Sequence, residues 1–356
     1  MQSWLTELQQ LLTHGDAVVL VTVARVEGST PREAGAKMIV TRESARHTIG
    51  GGHLEWRAIE IAREVLRDGM RSSHMRRLER LSLGPSLGQC CGGAVVLAFE
   101  RLDIGDLDWV AALGKRFHAG KATQRSISFG PSREAVRWAD VDAGIQAPDC
   151  LLWDGAGFDE GNALLTETIV SREFPVVLFG AGHVGAALAR VLATLPCRVR
   201  WVDERDAQFP PPFAGAPPSN VTIDANDAPD EAVDEAAPGT AFIVMTHNHT
   251  RDLALAERIL RRDDFLFFGM IGSRTKRRQF EHRLAAYGID PVRIARMVCP
   301  IGVEGIVDKS PEVIAISAAA QLLQAVEAAR ASSPAQAADT PFSMPEPLTD
   351  HDTDTR

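Results

Sequence analysis

The chain has 356 residues, with 38 Lys and Arg against 47 Asp and Glu, which leaves a formal charge of −9. This length is enough for two hydrophobic cores, and 45% hydrophobic with 24% charged residues excludes disordered, collagen-like and coiled-coil proteins. The surplus of acid argues against a nucleic-acid partner, because neutralising phosphates requires a basic face.

The first residues, MQSWLTELQQLLTHGD, have helical spacing and lack the basic and apolar regions of a signal peptide. The long apolar runs, AVVLVTVARV and GGAVVLAF, are shorter than the roughly 20 residues that span a bilayer. We therefore expect a soluble, cytoplasmic protein with no membrane contact. The 5 cysteines are too few for a disulfide scaffold, and none forms a C-x-x-C pair that would indicate structural zinc.

Residues 1–102 are predicted to form a small α+β domain. Its elements are a helix at 2–13, a strand at 17–26, a second strand at 36–41, a helix at 53–67, and two strands around RRLERL and GGAVVLAFERL. Residues 103–173 mix helical and extended patterns, and we interpret them as a connecting region with some strands.

Residues 174–330 alternate apolar strands with helices, which is typical of βαβ units. We therefore predict an α/β fold in which the small α+β domain precedes a Rossmann-like domain with a doubly wound parallel sheet. The last helix is expected to start at Ser310-Pro311 and to end near Ala329. Residues 331–356 are polar and aperiodic, and are predicted to be a disordered tail.

A dinucleotide-binding pattern follows the first strand of this second domain. Gly180, Gly182 and Gly185 form G-x-G-x-x-G between an apolar strand and a helix, and Asp203 follows about 20 residues later at a strand end. Glycines let a backbone approach a pyrophosphate, and an acidic residue at this place accepts from a ribose hydroxyl. Arg205 leaves acceptance of a 2′-phosphate open, and tight strand–helix packing without any ligand is the alternative.

Two further segments are candidate anion sites. Gly50, Gly51 and Gly52 precede a predicted helix, where consecutive N–H groups can face an oxyanion. Ser273 and Lys276 follow a strand that ends in glycine, and offer a hydroxyl and a cation. A flexible turn in the first case and a solvated basic helix start in the second are equally good explanations.

Two groups of metal-binding residue types remain. Cys90 and Cys91 lie in a turn flanked by glycines, GQCCGG, which leaves room for a ligand beside a thiol, although a buried cysteine is the ordinary alternative. His247, His249 and Asp252 follow a strand as H-x-H-x-x-D, which permits a metal site but more often caps a helix or faces solvent.

Taken together, seven motifs in order strongly resemble the XdhC/CoxI family of xanthine dehydrogenase accessory proteins. The resemblance runs from near the N-terminus to the last long helix and rests on GSTPR (28–32), GAKM (35–38), IGGG (49–52), GQCCGG (88–93), FGAGHVG (179–185), IGS (271–273) and PIG (300–302).

This resemblance implies a chaperone in purine catabolism that binds molybdenum cofactor (molybdopterin), supports its sulfuration with a cysteine desulfurase, and delivers it to xanthine dehydrogenase. It favours a non-enzymatic role, assigns no catalytic residue, and implies a homo-oligomer, in the simplest case a dimer. Family members without the Cys-Cys pair keep one cysteine before Gly-Gly, which makes Cys91 the better candidate for contact with the metal.

The hypothesis for the cofactor is that Cys91, with or without Cys90, lies near molybdenum while Gly50–Gly52 or Gly180–Gly185 holds the phosphate. Two other functions stay open. An NAD(P)-dependent oxidoreductase would use the same glycine turn, and a pure protein-interaction chaperone would leave the Rossmann site empty.

Overall fold

The computed structural model of the chain describes residues 4–68, 76–83, 92–129, 135–141, 150–154 and 163–332. The chain divides into two compact units, Met1–Glu173 and Phe174–Arg356. Cys90, Cys91 and the predicted tail beyond residue 332 lie outside the described residues.

The first unit is built on a five-stranded antiparallel sheet in the order β3-β2-β1-β5-β4. Its helices are α1 (Trp4–Thr13), α2 (Gly52–Asp68) and α3 (Leu107–His118), with a 3₁₀ turn at Ile104–Asp106. The strands of this sheet are β1 (Val18–Glu27), β2 (Lys37–Val40), β3 (Ala45–His47), β4 (Arg76–Ser82) and β5 (Ala94–Leu102).

Both faces of β1 are buried because helices cover the sheet on each side. Val19 and Val21 pack in one cluster with the apolar stripe of α2. Val18 and Leu20 point the other way, as alternation along a strand requires, and pack in a second cluster with α1 and α3. This two-sided burial explains the uninterrupted apolar run that the sequence has here.

Residues 103–173 contribute α3 and a separate four-stranded antiparallel sheet in the order β7-β6-β9-β8. Its strands are β6 (Thr123–Ser128), β7 (Arg137–Asp140), β8 (Cys150–Trp153) and β9 (Leu164–Ile169). Ile127, Leu152 and Leu165 of this sheet pack against Ala24 and Ala98 of the five-stranded sheet in one buried cluster.

The second unit contains a six-stranded, all-parallel sheet in the order β12-β11-β10-β13-β14-β15, the strand order of the Rossmann fold. The predicted α/β class with a small α+β domain and a doubly wound domain is confirmed. The strands are β10 (Phe174–Phe179), β11 (Cys197–Asp203), β12 (Val221–Ala225), β13 (Ala241–Val244), β14 (Phe267–Met270) and β15 (Met297–Val298).

Helices cover both faces of this sheet and form two hydrophobic clusters. They are α4 (His183–Leu192), α5 (Pro211–Gly215), α6 (Glu231–Asp234), α7 (His249–Arg261), α8 (Arg274–Ala286), α9 (Pro291–Ala295) and α10 (Pro311–Ser332), with a 3₁₀ turn at Asp206–Gln208.

One expectation about apolar segments was wrong. Pro311–Ala331 in α10 is long and apolar enough to cross a membrane by length and composition, although the sequence was expected to contain no such segment. Ala315, Ala318 and Leu322 of this helix are buried in the Rossmann core beside α4. The segment is rich in alanine and lacks the long uninterrupted runs of bulky apolar residues that indicate a membrane span in a sequence. Because one of its faces is buried in the Rossmann core, it is a core helix.

Candidate functional site

The glycine turn between β10 and α4 uses its three glycines in different ways. Gly180 has a φ of +106°, and a Cβ on it would overlap the carbonyl oxygen of Met245. A Cβ on Gly185 would overlap the carbonyl oxygen of Gly180, which lets α4 pack closely on β10. Gly182 has no neighbour within 4 Å of its Cβ position, so that its backbone is open to a ligand. These are the roles that the dinucleotide-binding pattern requires.

The beginning of α4 offers uncapped donors beside Gly182. Gly182 is the N-cap and no side chain caps the helix, so that the first-turn N–H groups of His183, Val184 and Gly185 lack partners within the helix. Unpaired N–H groups at the positive end of a helix attract a phosphate or another oxyanion. The turn therefore fits an anionic group.

The carboxylate of Asp203, at the end of β11, accepts hydrogen bonds from other groups of the protein. Its Oδ2 accepts from the N–H of Ala181 at 2.7 Å and from Nη2 of Arg205 at 3.0 Å. Its Oδ1 accepts from the N–H and Nε of Arg205 at 3.0 and 2.9 Å. The sequence predicted a carboxylate that accepts from a ribose, whereas each oxygen here already has two donors. Arg205 therefore uses acceptor positions of Asp203 that a ribose hydroxyl would need.

The same contacts set the protonation of Asp203. Burial opposes the charged carboxylate, but the hydrogen bonds from Arg205 and Ala181 outweigh it and hold the pKa of Asp203 below its usual value. A lowered carboxyl pKa stabilises the folded state at pH values above the unfolded-state pKa of about 3.9, and this contribution is lost as the pH falls through the folded-state pKa.

We therefore expect Asp203→Asn to flatten the acid dependence of stability. Wild-type melting temperatures, measured by calorimetry between about pH 5 and 2.5, should fall more steeply than those of the variant below about pH 4. Asp230→Asn is the control, because Asp230 forms an ion pair with Arg258 that is half exposed and sensitive to solvent screening. Equal slopes for wild type and Asp203→Asn would contradict this assignment.

A small cavity lies where the strand order reverses, between β10 and β13. Phe179, Asp203, Thr246 and Arg251 are among the residues that line it, and its free volume is about 10 Å³, the space of one water molecule. Arg251 and Glu204, which form an ion pair, both line this cavity. No local pattern indicates this pair, because its two members lie 47 positions apart in the chain.

His247, His249 and Asp252 do not converge on a metal site. Asp252 is fully buried and accepts from Thr246 Oγ1 and Lys276 Nζ, each at 2.6 Å, whereas both histidines are exposed. The exposed histidines agree with the alternative that this segment faces solvent, whereas the residue that caps α7 is Asn248, which the H-x-H-x-x-D pattern does not include. In the described parts of the chain, no three His, Cys, Asp or Glu side chains are grouped so that they could hold a metal ion.

Ser273 and Lys276 are likewise engaged within the protein. Ser273 caps α8 by accepting from the N–H of Lys276 at 3.2 Å. The Lys276 ammonium is buried and donates to Asp252 and to the carbonyl of Ile271, the latter at 2.9 Å. The Lys276 ammonium, which was predicted to bind an external anion, is therefore paired with the buried carboxylate of Asp252 in α7.

In the first unit, N–H groups of the segment around Gly50–Gly52 already have acceptors within the protein. Glu55 Oε2 accepts from the N–H groups of Ile49 and Gly51 at 3.3 and 3.1 Å, and the N–H of Gly50 donates to Thr48 Oγ1 at 3.0 Å. Glu55, an acid in the first turn of α2, was missed by the sequence analysis, although acids in that position commonly bind helix N-termini. The position expected for a phosphate thus holds Glu55.

Three of the glycine motifs meet around the loop Gly28–Arg32. A Cβ on Gly50 would lie 2.6 Å from Cβ of Pro31, and a Cβ on Gly93 would lie 2.5 Å from the carbonyl oxygen of Ser29. The loop therefore fits between Gly50 and Gly93, and only glycines allow this approach. Gly92 and Gly93 directly follow Cys90 and Cys91 in the sequence.

Comparisons with known proteins agree with these motifs. A model of the XdhC and CoxI family matches residues 11–78, and a model of the XdhC Rossmann domain matches residues 176–322. A protein of Bacillus subtilis (strain 168), described as a probable subunit of xanthine dehydrogenase, is 27% identical over 336 residues, which are 90% of this chain and 96% of that protein.

Two further matches differ in extent. An uncharacterised Escherichia coli (strain K12) protein, YqeB, is 33% identical over 175 residues, which cover 48% of this chain and 31% of that protein. A crystal structure from Bacillus halodurans, described as a xanthine dehydrogenase, is similar in fold, with a TM-score of 0.71 at 21% identity over 92% of this chain and 97% of that one. On the two matched models and the motifs that they cover, the chain belongs to the XdhC and CoxI family.

Proposed function

We propose that this protein is an accessory protein of xanthine dehydrogenase that binds molybdenum cofactor, supports its sulfuration with a cysteine desulfurase, and delivers it to the apoenzyme. Membership of the XdhC and CoxI family supports the link to xanthine dehydrogenase. The observation that carries the proposal is the meeting of Gly28–Arg32, Gly50 and Gly93, since it brings three glycine-rich motifs of the first unit together and Gly93 follows Cys90 and Cys91 closely in the sequence. We propose further that the protein is cytoplasmic and forms a homodimer.

The cofactor has an anionic end and a soft metal end, and different residues fit each. The uncapped N-terminus of α4 beside Gly182 fits the phosphate, whereas Gly50–Gly52 fit it less well, because the N–H of Gly51 donates to Glu55 and the N–H of Gly50 donates to Thr48. The thiolate of Cys91 would be the soft ligand for molybdenum. When bound, the cofactor would supply the metal whose oxo ligand is exchanged for a sulfido ligand. The chain itself would bind the phosphate through N–H groups of α4 and the metal through a thiolate.

The alternative of an NAD(P)-dependent oxidoreductase has less support. A nicotinamide dinucleotide needs a carboxylate or a cation free for its ribose, whereas Asp203 and Arg205 bind each other. This pairing favours a role in which the glycine turn binds a phosphate without an adjoining ribose.

A cysteine variant tests the proposal. We expect Cys91→Ala, purified without oxygen, to contain less than about a tenth of the molybdenum cofactor of the wild type, because removal of a metal-binding group typically lowers affinity by one or more orders of magnitude. Cofactor is measured as the fluorescence of its oxidised pterin per mole of protein. Cys90→Ala, measured alongside, reports whether the neighbouring thiol contributes.

Cys150→Ala is the matched control, because Cys150 is a partly exposed cysteine in the same unit and its removal should leave the cofactor content unchanged. If Cys91→Ala and the double variant of Cys90→Ala with Cys91→Ala both contain as much molybdenum cofactor as the wild type, the two thiols do not bind the cofactor. Wild-type protein without pterin at any stoichiometry would instead favour a chaperone that acts by protein contacts alone.

A further inference from the structure

A cleft in the second unit lies at the carboxyl ends of two neighbouring strands of the parallel sheet. Its volume is about 860 Å³, and we name it the α8 cleft after the helix that forms one of its walls. The IGS motif leads from β14 into α8, and the PIG motif leads from β15 into the loop Gly302–Asp308, which forms another wall. Because β14 and β15 pair with each other, both walls start at the same edge of the sheet.

The wall formed by α8 carries two arginines without partners. Arg274 and Arg278 are exposed, line the cleft and lie one helical turn apart. In the part of the chain that the structure describes, neither guanidinium has a hydrogen bond or an ion pair. The third arginine of this wall, Arg277, is paired with Glu281 at 2.7 Å. Two positive charges of α8 are therefore free to bind acceptors outside the chain.

The loop wall carries the opposite charge. Glu304 and Asp308 are both exposed and line the cleft, and Glu304 has no ion pair with another described residue. Asp308 accepts from the N–H of Ser310 at 2.7 Å, which lowers the pKa of this carboxyl group and keeps it ionised. The charges of the two walls balance. The cleft therefore suits a surface that carries both signs of charge rather than a small anion.

Two adjacent apolar side chains of the same loop are also exposed. Ile306 and Val307 line the cleft and are 45% and 86% exposed. The start of the loop is fixed to α10, because the N–H of Val303 donates to Ser317 Oγ at 2.9 Å. Adjacent exposed apolar residues beside charged groups indicate a contact surface more strongly than isolated ones do.

We propose that the α8 cleft is the contact surface for a second copy of this chain. About a twofold axis every contact occurs twice, so that the two free arginines of one copy meet Glu304 and Asp308 of the other copy, and the reverse. The same contact covers Ile306 and Val307. A surface with both signs of charge complements itself, whereas a partner of one sign leaves like charges facing each other. This interface rests on the homodimer of the proposed function and is independent of molybdenum cofactor.

Charge reversal in the full chain tests this interface. Arg274→Glu with Arg278→Glu and, in a separate chain, Glu304→Arg with Asp308→Arg should each raise the dimer dissociation constant at least about a hundredfold, because like charges then face each other at both contacts. The constants are measured by sedimentation velocity. An equimolar mixture of the two variants should form a mixed dimer, identified by native mass spectrometry, since both contacts are then attractive again.

Arg190→Glu with Arg283→Glu is the matched control and should dimerise like the wild type, because both arginines are exposed in the second unit outside the cleft. Charge variants of the cleft that dimerise like the wild type, or monomers that mixing does not restore, would overturn the interface and leave the homodimer standing. A monomeric wild type would overturn the homodimer and the interface together. The cofactor content of Cys91→Ala tests the chaperone function separately from all of these results.

Discussion

Gly180→Ala is expected to destabilise the Rossmann unit by about 3–5 kcal/mol. An alanine at a positive φ costs about 1–3 kcal/mol, and overlap of its Cβ with a fixed backbone atom adds a similar amount. The φ of Gly180 is +106° and the overlapping atom is the carbonyl oxygen of Met245, in the segment that follows β13. Neither the turn nor the neighbouring strand can move without breaking ladder hydrogen bonds of the parallel sheet.

Gly182→Ala is the matched variant in the same turn. Its φ of −69° is open to every residue and its Cβ position is free of neighbours, so that we expect a loss of less than about 1 kcal/mol. Hydrogen exchange of peptides from β10 and α4 in the full chain measures both effects locally. Equal protection in the two variants would show that the turn is not the tight element described above.

Local patterns predicted most of the long strands and helices of the second unit. A glycine turn, the strand before it and the helix after it are neighbours in sequence, so that periodicity and residue type identify them together. The sequence did not indicate β15, whose two residues, Met297–Val298, are too few for a pattern. The helix α8 is strongly basic and buries only Lys276, Phe280 and Leu284, so that its apolar face is too narrow to predict.

Candidate site residues were harder to predict because their partners are distant in the chain. The sequence indicates that Asp203 and Lys276 are capable of binding a ligand. It does not indicate that Asp203 is already paired with Arg205, and Lys276 with Asp252. The ion pair of Lys37 and Glu167 illustrates the same limit, since the two residues are separated by 130 positions. Such pairs follow from how the strands are arranged, which no local pattern determines.

A buried ionic network explains why the core of the first unit tolerates charges. Arg125 is fully buried, and its Nη1 donates to Glu100 at 3.1 Å and to Glu167 at 2.7 Å. Lys37 binds the other oxygen of Glu167, so that two cations face two carboxylates. Burial opposes ionisation of Glu167, but the charges of Lys37 and Arg125 outweigh it and keep its pKa below the usual range.

We expect Arg125→Met to cost about 3–5 kcal/mol, because it leaves two buried carboxylates with one cation. The pKa of one of these carboxyl groups should then rise above its value in the unfolded chain, so that this group takes up a proton in the folded protein. The stability of the variant should therefore fall further as the pH rises from about 5 to 8, through the raised pKa. Local stability is measured by hydrogen exchange of β5 and β6 peptides, since a chain with two units need not unfold in one step.

A second substitution separates charge from packing. Arg125→Met combined with Glu100→Gln restores equal numbers of buried cations and carboxylates, so that most of the lost stability should return and the pH dependence should disappear. Arg57→Met, which removes an exposed pair on α2, should change stability by less than about 0.5 kcal/mol. A double variant as unstable as Arg125→Met would mean that the loss comes from the contact of the Arg125 guanidinium with the Trp109 ring, 4.8 Å away, rather than from an uncompensated charge.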